Sequence, residues 1–385
     1  MSPNHMPPIS ASAHDILQSY SDELETIEPD ESETAQAIAD AMLSISRKTY
    51  KHSGHATRSV HAKSHGIVRA EFEVLGDLSP ALAQGLFAKA GRYQSIIRFS
   101  TIPGDILHDS VSTPRGMAIK VLDVEGERLD NGRPSTSQDF VLVNGKQFST
   151  SNPKAFLRSL KMIALTTDRV EALKIAASKI FRRIETAIEA GGGESGLLKS
   201  LGGHPPTHIL GESYFSQLPL RYGDYVAKFS VVPASEALTA LVGRQVDIDD
   251  DYDGLRHAVS DFFAQSDAVW EVRVQLCSDV GEMPIEDSTA VWDESISPFI
   301  TVARITAQAQ PSWQAPETQA LNDSLGFSPW DGLAAHRPLG SIMRMRQLAY
   351  QKTQAFRSER NPLPVEEPSI DDAGPADSVV GNAWR

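Results

Sequence analysis

Apolar residues recur along this chain at two spacings, and the change from one to the other marks out its elements. Residues 1–10 hold three prolines and no periodicity, which predicts a mobile tail. Helical patterning over residues 12–28 is interrupted by Pro29. Asp30 can then cap a second helix, in which Ile38, Met42 and Ile45 recur at helical spacing. From Gly66 the pattern becomes that of strands joined by tight turns. Residues 70–75 run into Gly76-Asp77, and residues 79–89 predict a short helix with Ser79 as cap and Pro80 at its first position. Residues 96–100, 117–124 and 140–143 are apolar strand candidates, with a polar loop over 131–138 between the last two.

Asn152-Pro153 predicts a helix start, and helical patterning runs with breaks to about residue 190, where Gly191-Gly-Gly ends it. After a glycine and proline cluster at 202–206 come strands over 225–231 and 269–276. In the latter Trp270, Val272, Val274 and Leu276 alternate with Glu271, Arg273 and Gln275, the period of a half-buried antiparallel strand. Residues 299–307 predict another strand, 308–319 a connection rich in Gln and Pro, and 341–358, free of both Gly and Pro, one helix. Residues 364–385 are rich in Pro, Asp, Glu and Ser and predict disorder. Strands without regular βαβ spacing, with helices gathered at the start, middle and end, give an α+β fold. The implied organisation is a helical arm over 1–50, one domain over 51–360 and a tail over 361–385.

Composition narrows the function classes. With 385 residues, 41% of them hydrophobic, the chain can bury a sizeable core. Fifty acidic against 36 basic residues give a net charge of -14, which disfavours nucleic acid and anionic membrane surfaces as partners. Cys277 is the only cysteine, so no intramolecular disulfide can form, and its apolar surroundings predict a buried, inert thiol. No run approaches the ~20 apolar residues of a membrane span. The first residues lack the positive patch and apolar core of a signal peptide, and the expectation is a cytoplasmic protein.

Candidate chemistry centres on Arg58-Ser-Val60-His61-Ala-Lys-Ser-His65-Gly66, with His61 as its reactive group. His52, His55, His61 and His65 also suggest a zinc cluster. Against it, Ala62 stands where a metalloprotease motif needs glutamate, and Gly54 and Gly66 break the helix. Arg346 and Tyr350 are four apart, so on a helix they share one face. A tyrosine ionises near ~10 and can serve as an anionic ligand only where positive charge holds it deprotonated.

Four runs occur in order: His61-Ala-Lys63, Arg98-Phe-Ser100-Thr101, Pro114-Arg-Gly116-Met-Ala-Ile-Lys120 and Arg346-Gln-Leu-Ala-Tyr350. Each is weak alone, but together they resemble the haem-dependent catalase family over roughly residues 55–360. The resemblance implies an antiparallel β-barrel with surrounding helices, here a reduced form with no long C-terminal domain after the tyrosine helix. It implies haem b, with Tyr350 as the proximal ligand of the iron and Arg346 supporting its ionisation. Arg58, Arg98 and Arg357 match the arginines that reach the haem propionates. His61 matches the distal acid–base group, Ser100 the hydroxyl that fixes its tautomer, and Val60 a residue that narrows the approach. A peroxide and an electron donor are the implied small-molecule partners, and a homo-oligomer stays open.

Two stretches depart from the family pattern. Where true catalases place an asparagine before the strand that begins here near Phe140, this chain has Thr136, which lowers the expectation of efficient hydrogen peroxide dismutation. Residues 330–340 resemble instead the small catalase-related peroxidases, which handle organic hydroperoxides. The expected activity is therefore haem-dependent reduction of organic hydroperoxides, hydrogen peroxide or both. The alternatives are a hydroperoxide isomerase or dehydratase of the allene oxide synthase type and a non-catalytic haem-binding protein. His65 and His336 carry no assigned role.

Overall fold

A computed structural model describes residues 17–368 apart from 112, 133, 167–203 and 249. Its strands, in chain order, are β1 (Lys63–Val74), β2 (Gly91–Thr101), β3 (Arg115–Val121), β4 (Gln138–Val143), β5 (Tyr214–Phe215), β6 (Leu220–Tyr222), β7 (Tyr225–Pro233), β8 (Ala268–Leu276) and β9 (Ile300–Ala307). They pair antiparallel in the order β1-β2-β3-β4-β5-β7-β8-β9, and β9 returns to β1 with Phe72 opposite Ile305. The result is a closed eight-stranded barrel, on which β6 forms a hairpin with β7. Closure removes the exposed edges that an open sheet would carry. The expected α+β architecture, an antiparallel barrel with surrounding helices, is the one observed.

Strand alternation decides what goes inside. On β2, Ile97 and Phe99 enter the barrel core, while Ile96, Arg98 and Ser100 point outward. Phe72, Phe87, Phe140 and Phe229 meet in the interior, with Phe72 and Phe140 stacked at 6.1 Å between ring centroids. Burying each such side chain contributes about 1.5–3 kcal/mol. His336 fills one end of this core: its Nε2 accepts from the backbone N–H of Leu86 at 2.9 Å, and its ring packs against Phe87, Tyr222 and Phe229.

The main helices are α1 (Glu31–Ser53), α2 (Pro153–Thr166), α3 (Gly254–Phe263), α4 (Glu317–Ser324) and α5 (Ser341–Arg360). Ile38, Ala39 and Met42 of α1, Leu160 of α2, and Met345 and Ala349 of α5 form a separate apolar cluster outside the barrel. The helical spacing of Ile38, Met42 and Ile45 thus buries one face of α1. Asn152 caps α2 as expected, its Oδ1 accepting from Ala155 N at 3.0 Å. No helix among the described residues is long and apolar enough to cross a membrane.

Three local expectations need correction. Residues 17–28 are not α-helical: Ser19 bridges Tyr225, and only a short 3-10 turn, Asp22–Leu24, follows. Tyr20 and Leu24 pack on the Val226, Cys277 and Trp292 cluster, and Glu25 reaches Arg337 and Arg344, contacts that outweigh helical propensity. Residues 79–89 form turns and a 3-10 segment, Gly85–Phe87, because Leu86 and Phe87 must enter the barrel end while His336 takes the Leu86 N–H. The start of the C-terminal tail is packed: Glu366 N donates to Ser324 O, and Glu367 Oε1 accepts from Ser137 N at 3.0 Å. The helical patterning beyond Thr166, the glycines at 191–193, and the tails at 1–16 and 369–385 lie outside the described residues.

Candidate active site

The outward face of the β2–β3–β4 wall carries the first half of the site. Register places Arg98 opposite Ala118, Ser100 opposite Gly116, and Ala118 opposite Val141. Over this wall comes the segment Arg58–His61, which α1 releases at Gly54, a left-handed residue (φ 70°) whose N–H donates to Tyr50 O. The second half is one face of α5, where Tyr350, Thr353, Gln354 and Arg357 follow one another at helical spacing. Between the halves lies a pocket that opens to solvent. Its walls include Val60, Met117, Val141, Leu142 and Phe327, with Met42 reaching in from α1.

Of the residues singled out by sequence, Arg58, Val60, His61, Arg98, Ser100, Tyr350 and Arg357 line this cavity. Arg346 stands one turn behind and touches it through Tyr350. Its Nη2 donates to Tyr350 Oη at 2.6 Å, the short distance of a charge-assisted hydrogen bond.

His61 has a backbone φ of 51°, the left-handed region that a non-glycine residue holds only when its surroundings impose it. Its Nδ1 lies 3.2 Å from Ser100 Oγ. A Cβ on Gly116 would fall 2.6 Å from that same Nδ1, so glycine is required for the ring to lie there. Burial, then the charges of Arg98, Arg346 and Arg58, push the imidazole down to about 3. The ring is therefore neutral across the physiological range. In the tautomer with the proton on Nδ1, that N–H donates to Ser100 and Nε2 can accept a proton.

The three remaining arginines converge on one rim. Arg58 donates to Asn322 Oδ1, Asn322 O and Leu325 O; Arg98 to Asn322 Oδ1 and the carbonyls of His61 and Ala62; Arg357 to the carbonyls of Asn322, Asp323 and Leu325. Burial and mutual repulsion push Arg58 well below its usual range and Arg98 down to about 9. Asp323 relieves both, yet its carboxylate hydrogen bonds go to His55 Nε2 and Gln319 Nε2. Because a guanidinium does not release its proton in proteins, this rim carries positive charge that a group with two carboxylates would offset. These donors and the Arg346-bonded Tyr350 on the same cavity fit a haem with its propionates at the arginine rim.

Thr136 stands elsewhere: it is exposed, and its carbonyl accepts from Val124 N. The cavity wall on β4 is made by Val141 and Leu142, which carry no hydrogen-bonding side chain. The four histidines of the zinc reading are dispersed. His52 is exposed, His55 bonds Asp323, His61 faces the cavity, and His65 lies buried on β1 with Nε2 3.0 Å from Thr101 Oγ1. Sequence reasoning missed Asn322, Phe327, Gln354 and Met42, and it quoted Gly116 without assigning it. Only Gly116 had a local signal, the glycine inside the Pro114-Arg-Gly run. Asn322 belongs to a helix, Glu317–Ser324, of which sequence reasoning placed only residues 317–319, as part of a connection, and left the rest unassigned.

Solved structures resemble this one along most of its length. Catalase A from Saccharomyces cerevisiae matches with a TM-score of 0.56 and 16% identity over 88% of this chain and 70% of that one. The fold is that of a catalase. A fungal catalase matches at 0.56 with 15% identity over 88% and 69%, and a bacterial catalase at 0.57 with 16% identity over 96% and 70%. No family model and no curated protein sequence matches the chain.

Proposed function

We propose that this protein is a haem-dependent peroxidase of the small catalase-like class, acting on organic hydroperoxides in preference to hydrogen peroxide. The observation that carries this reading is one cavity lined by His61 and Ser100 on the barrel wall and by Tyr350 on α5, with Arg346 hydrogen-bonded to Tyr350 from behind. The catalase fold adds to it.

Haem, when bound, supplies the redox centre that divides the peroxide bond. Tyr350 Oη would be the group to hold the iron, with the Arg346 guanidinium hydrogen-bonded to it. Arg58, Arg98 and Arg357 would hold the propionates. His61 Nε2 accepts the proton of the hydroperoxide and returns it to the departing oxygen, which leaves as an alcohol or water instead of an alkoxide or hydroxide. Ser100 keeps the imidazole in the tautomer that allows this. The apolar walls made by Val60, Val141, Leu142 and Phe327 suit an alkyl or acyl substituent on the peroxide.

An absorption spectrum of the purified protein, followed by turnover with an alkyl hydroperoxide and a general electron donor, tests the reading. A ferric tyrosinate haem spectrum and donor-dependent reduction to the alcohol are expected. A chain that takes up no haem, or that consumes peroxide without oxidising any donor, would rule it out.

A further inference from the structure

Asn322 stands on α4 where three guanidinium groups meet. Its Oδ1 accepts from Arg58 Nη1 at 3.0 Å and from Arg98 Nε at 2.8 Å, which uses both lone pairs. Its carbonyl oxygen accepts from Arg58 Nη2 at 3.0 Å and from Arg357 Nη2 at 3.2 Å. Charged hydrogen bonds from three arginines thus converge on one neutral residue that is only 6% exposed. Arg98 carries the link further, since its Nη2 donates to the carbonyls of His61 and Ala62 at 2.9 and 3.2 Å. The first of these belongs to the residue with the left-handed backbone. A carboxylate at position 322 would accept the same bonds but would itself offset the arginines. An amide accepts them without adding a negative charge of its own.

We propose that Asn322 is the positioning residue of this site: it spreads Arg58, Arg98 and Arg357 into an array that selects a flat ligand bearing two carboxylates, and through Arg98 it fixes the backbone of His61. The amide makes the rim selective for an anionic edge over a neutral one of the same shape. The link through Arg98 makes the orientation of the imidazole depend on the same residue. The ligand half of the proposal rests on the haem reading; the His61 half does not.

Two porphyrins of the same shape separate charge from fit. The ligand-stripped full-length chain is titrated with protoporphyrin IX and with its dimethyl ester, each followed by absorbance. Asn322→Asp should bind protoporphyrin IX about ten- to a hundredfold more weakly than the parent, the worth of one charge-assisted interaction, and bind the ester as the parent does. Equal losses for the two porphyrins, or no loss for either, would overturn the selectivity. For the second half, Asn322→Leu should move the backbone amide and ring NMR signals of His61 and leave the ring signals of His336 in place, whereas Asn322→Asp should keep both. Unmoved His61 signals in Asn322→Leu would overturn the link. Should that variant not fold, Arg98→Gln breaks the same connection from its other end and is judged by the same signals. A parent chain that bound neither porphyrin would end the haem reading, and the His61 signals, which need no porphyrin, would still decide the role of Asn322.

Discussion

A Cβ placed on Gly116 would lie 2.6 Å from Nδ1 of His61, so the side chain that one residue lacks is the space in which the other's ring sits. The two belong to distant parts of the chain, and Ser100 Oγ, 2.9 Å from the same point, closes the third side. Gly116→Ala should therefore push the imidazole off Ser100 while the strand pairing of β2 with β3 holds. The reaction with peroxide is expected to slow by about tenfold or more, since a misplaced acid–base group forfeits much of its effect. Stopped-flow rates compared with the parent would check it, and an unchanged rate would show that the position of this ring does not matter.

His61 itself should matter more. His61→Ala is expected to keep the bound-haem spectrum broadly intact and to slow the peroxide reaction by ~10²- to ~10⁴-fold, the range for a lost general acid–base group. Ser100→Ala should cost less, because it only frees the tautomer. Since burial and the nearby arginines hold His61 down to about 3, the parent's rate should stay flat from about pH 5 to 8 instead of falling through an ordinary histidine value. A midpoint near 6.5 in the parent's profile that His61→Ala abolishes would refute this account of the ring's charge state.

On the other side of the cavity, Tyr350→Phe removes the oxygen that Arg346 Nη2 bonds and, on the proposed reading, would leave ferric iron without an anionic ligand. The expected product is a folded chain that binds haem weakly or not at all, measured by the ratio of Soret to protein absorbance after reconstitution. Arg346→Ala should shift the spectrum and retain the haem. Full haem retention with an unchanged spectrum in Tyr350→Phe would mean that another residue is the ligand.

Much of this was legible in the sequence, for reasons that differ by residue. Trp270 to Leu276 alternates because β8 has one face in the barrel, and the eye of a reader can find that period. His61, Arg98 and Tyr350 lie in runs whose residue types and order together resemble a family. Asn322 does not: it is one polar residue in a short helix, and its meaning comes from three arginines that are distant in sequence and arrive only on folding. Residues 79–89 were misread for a similar reason, since the Leu86 N–H that a helix would have used is claimed by His336 from 250 positions away. Thr136 shows the opposite error, in which register by sequence alone put a residue at the cavity that the structure places at the surface.

Acid should unfold this protein early. Burial holds four histidines below their ordinary value: His61 at about 3, His208 and His336 at about 4, and His65 well down. The unfolded chain takes up protons near 6.5 that the native state refuses, so the stability these rings confer is complete above 6.5 and is lost as pH falls toward 4. Asp139, which burial pushes up to about 7, and Asp109, which burial also raises, work the other way by keeping protons that the unfolded chain has released. The four histidines outnumber the two carboxylates, so stability should fall as pH drops below the histidine range. Urea midpoints at pH 7 and 5 would measure it. His336→Phe should lower stability at pH 7, through the lost bond to Leu86, yet flatten the slope by about one proton; an unaltered slope would contradict the neutral, buried state assigned to this ring.

On the proposed reading, substrate preference follows from what lines β4. Had Thr136 reached the cavity, an asparagine there could have held hydrogen peroxide by its amide, but Thr136 is exposed and bonded through its backbone to Val124. Thr136→Asn should therefore leave the ratio of hydrogen peroxide to alkyl hydroperoxide turnover as it is. Val141 is the residue to change, since it lines the cavity opposite Ala118 and offers no donor or acceptor from its side chain. Val141→Asn puts an amide on the wall. One new hydrogen bond is worth about 0.5–1.5 kcal/mol, so hydrogen peroxide turnover should rise about two- to tenfold relative to cumene hydroperoxide. The larger substrate gains nothing from the amide and loses apolar contact. The comparison is internal to each variant, which cancels differences in haem loading. If Thr136→Asn raised the ratio and Val141→Asn did not, the peroxide would have to approach from a side of the cavity other than the β4 wall, and the apolar lining would not be what selects the substrate.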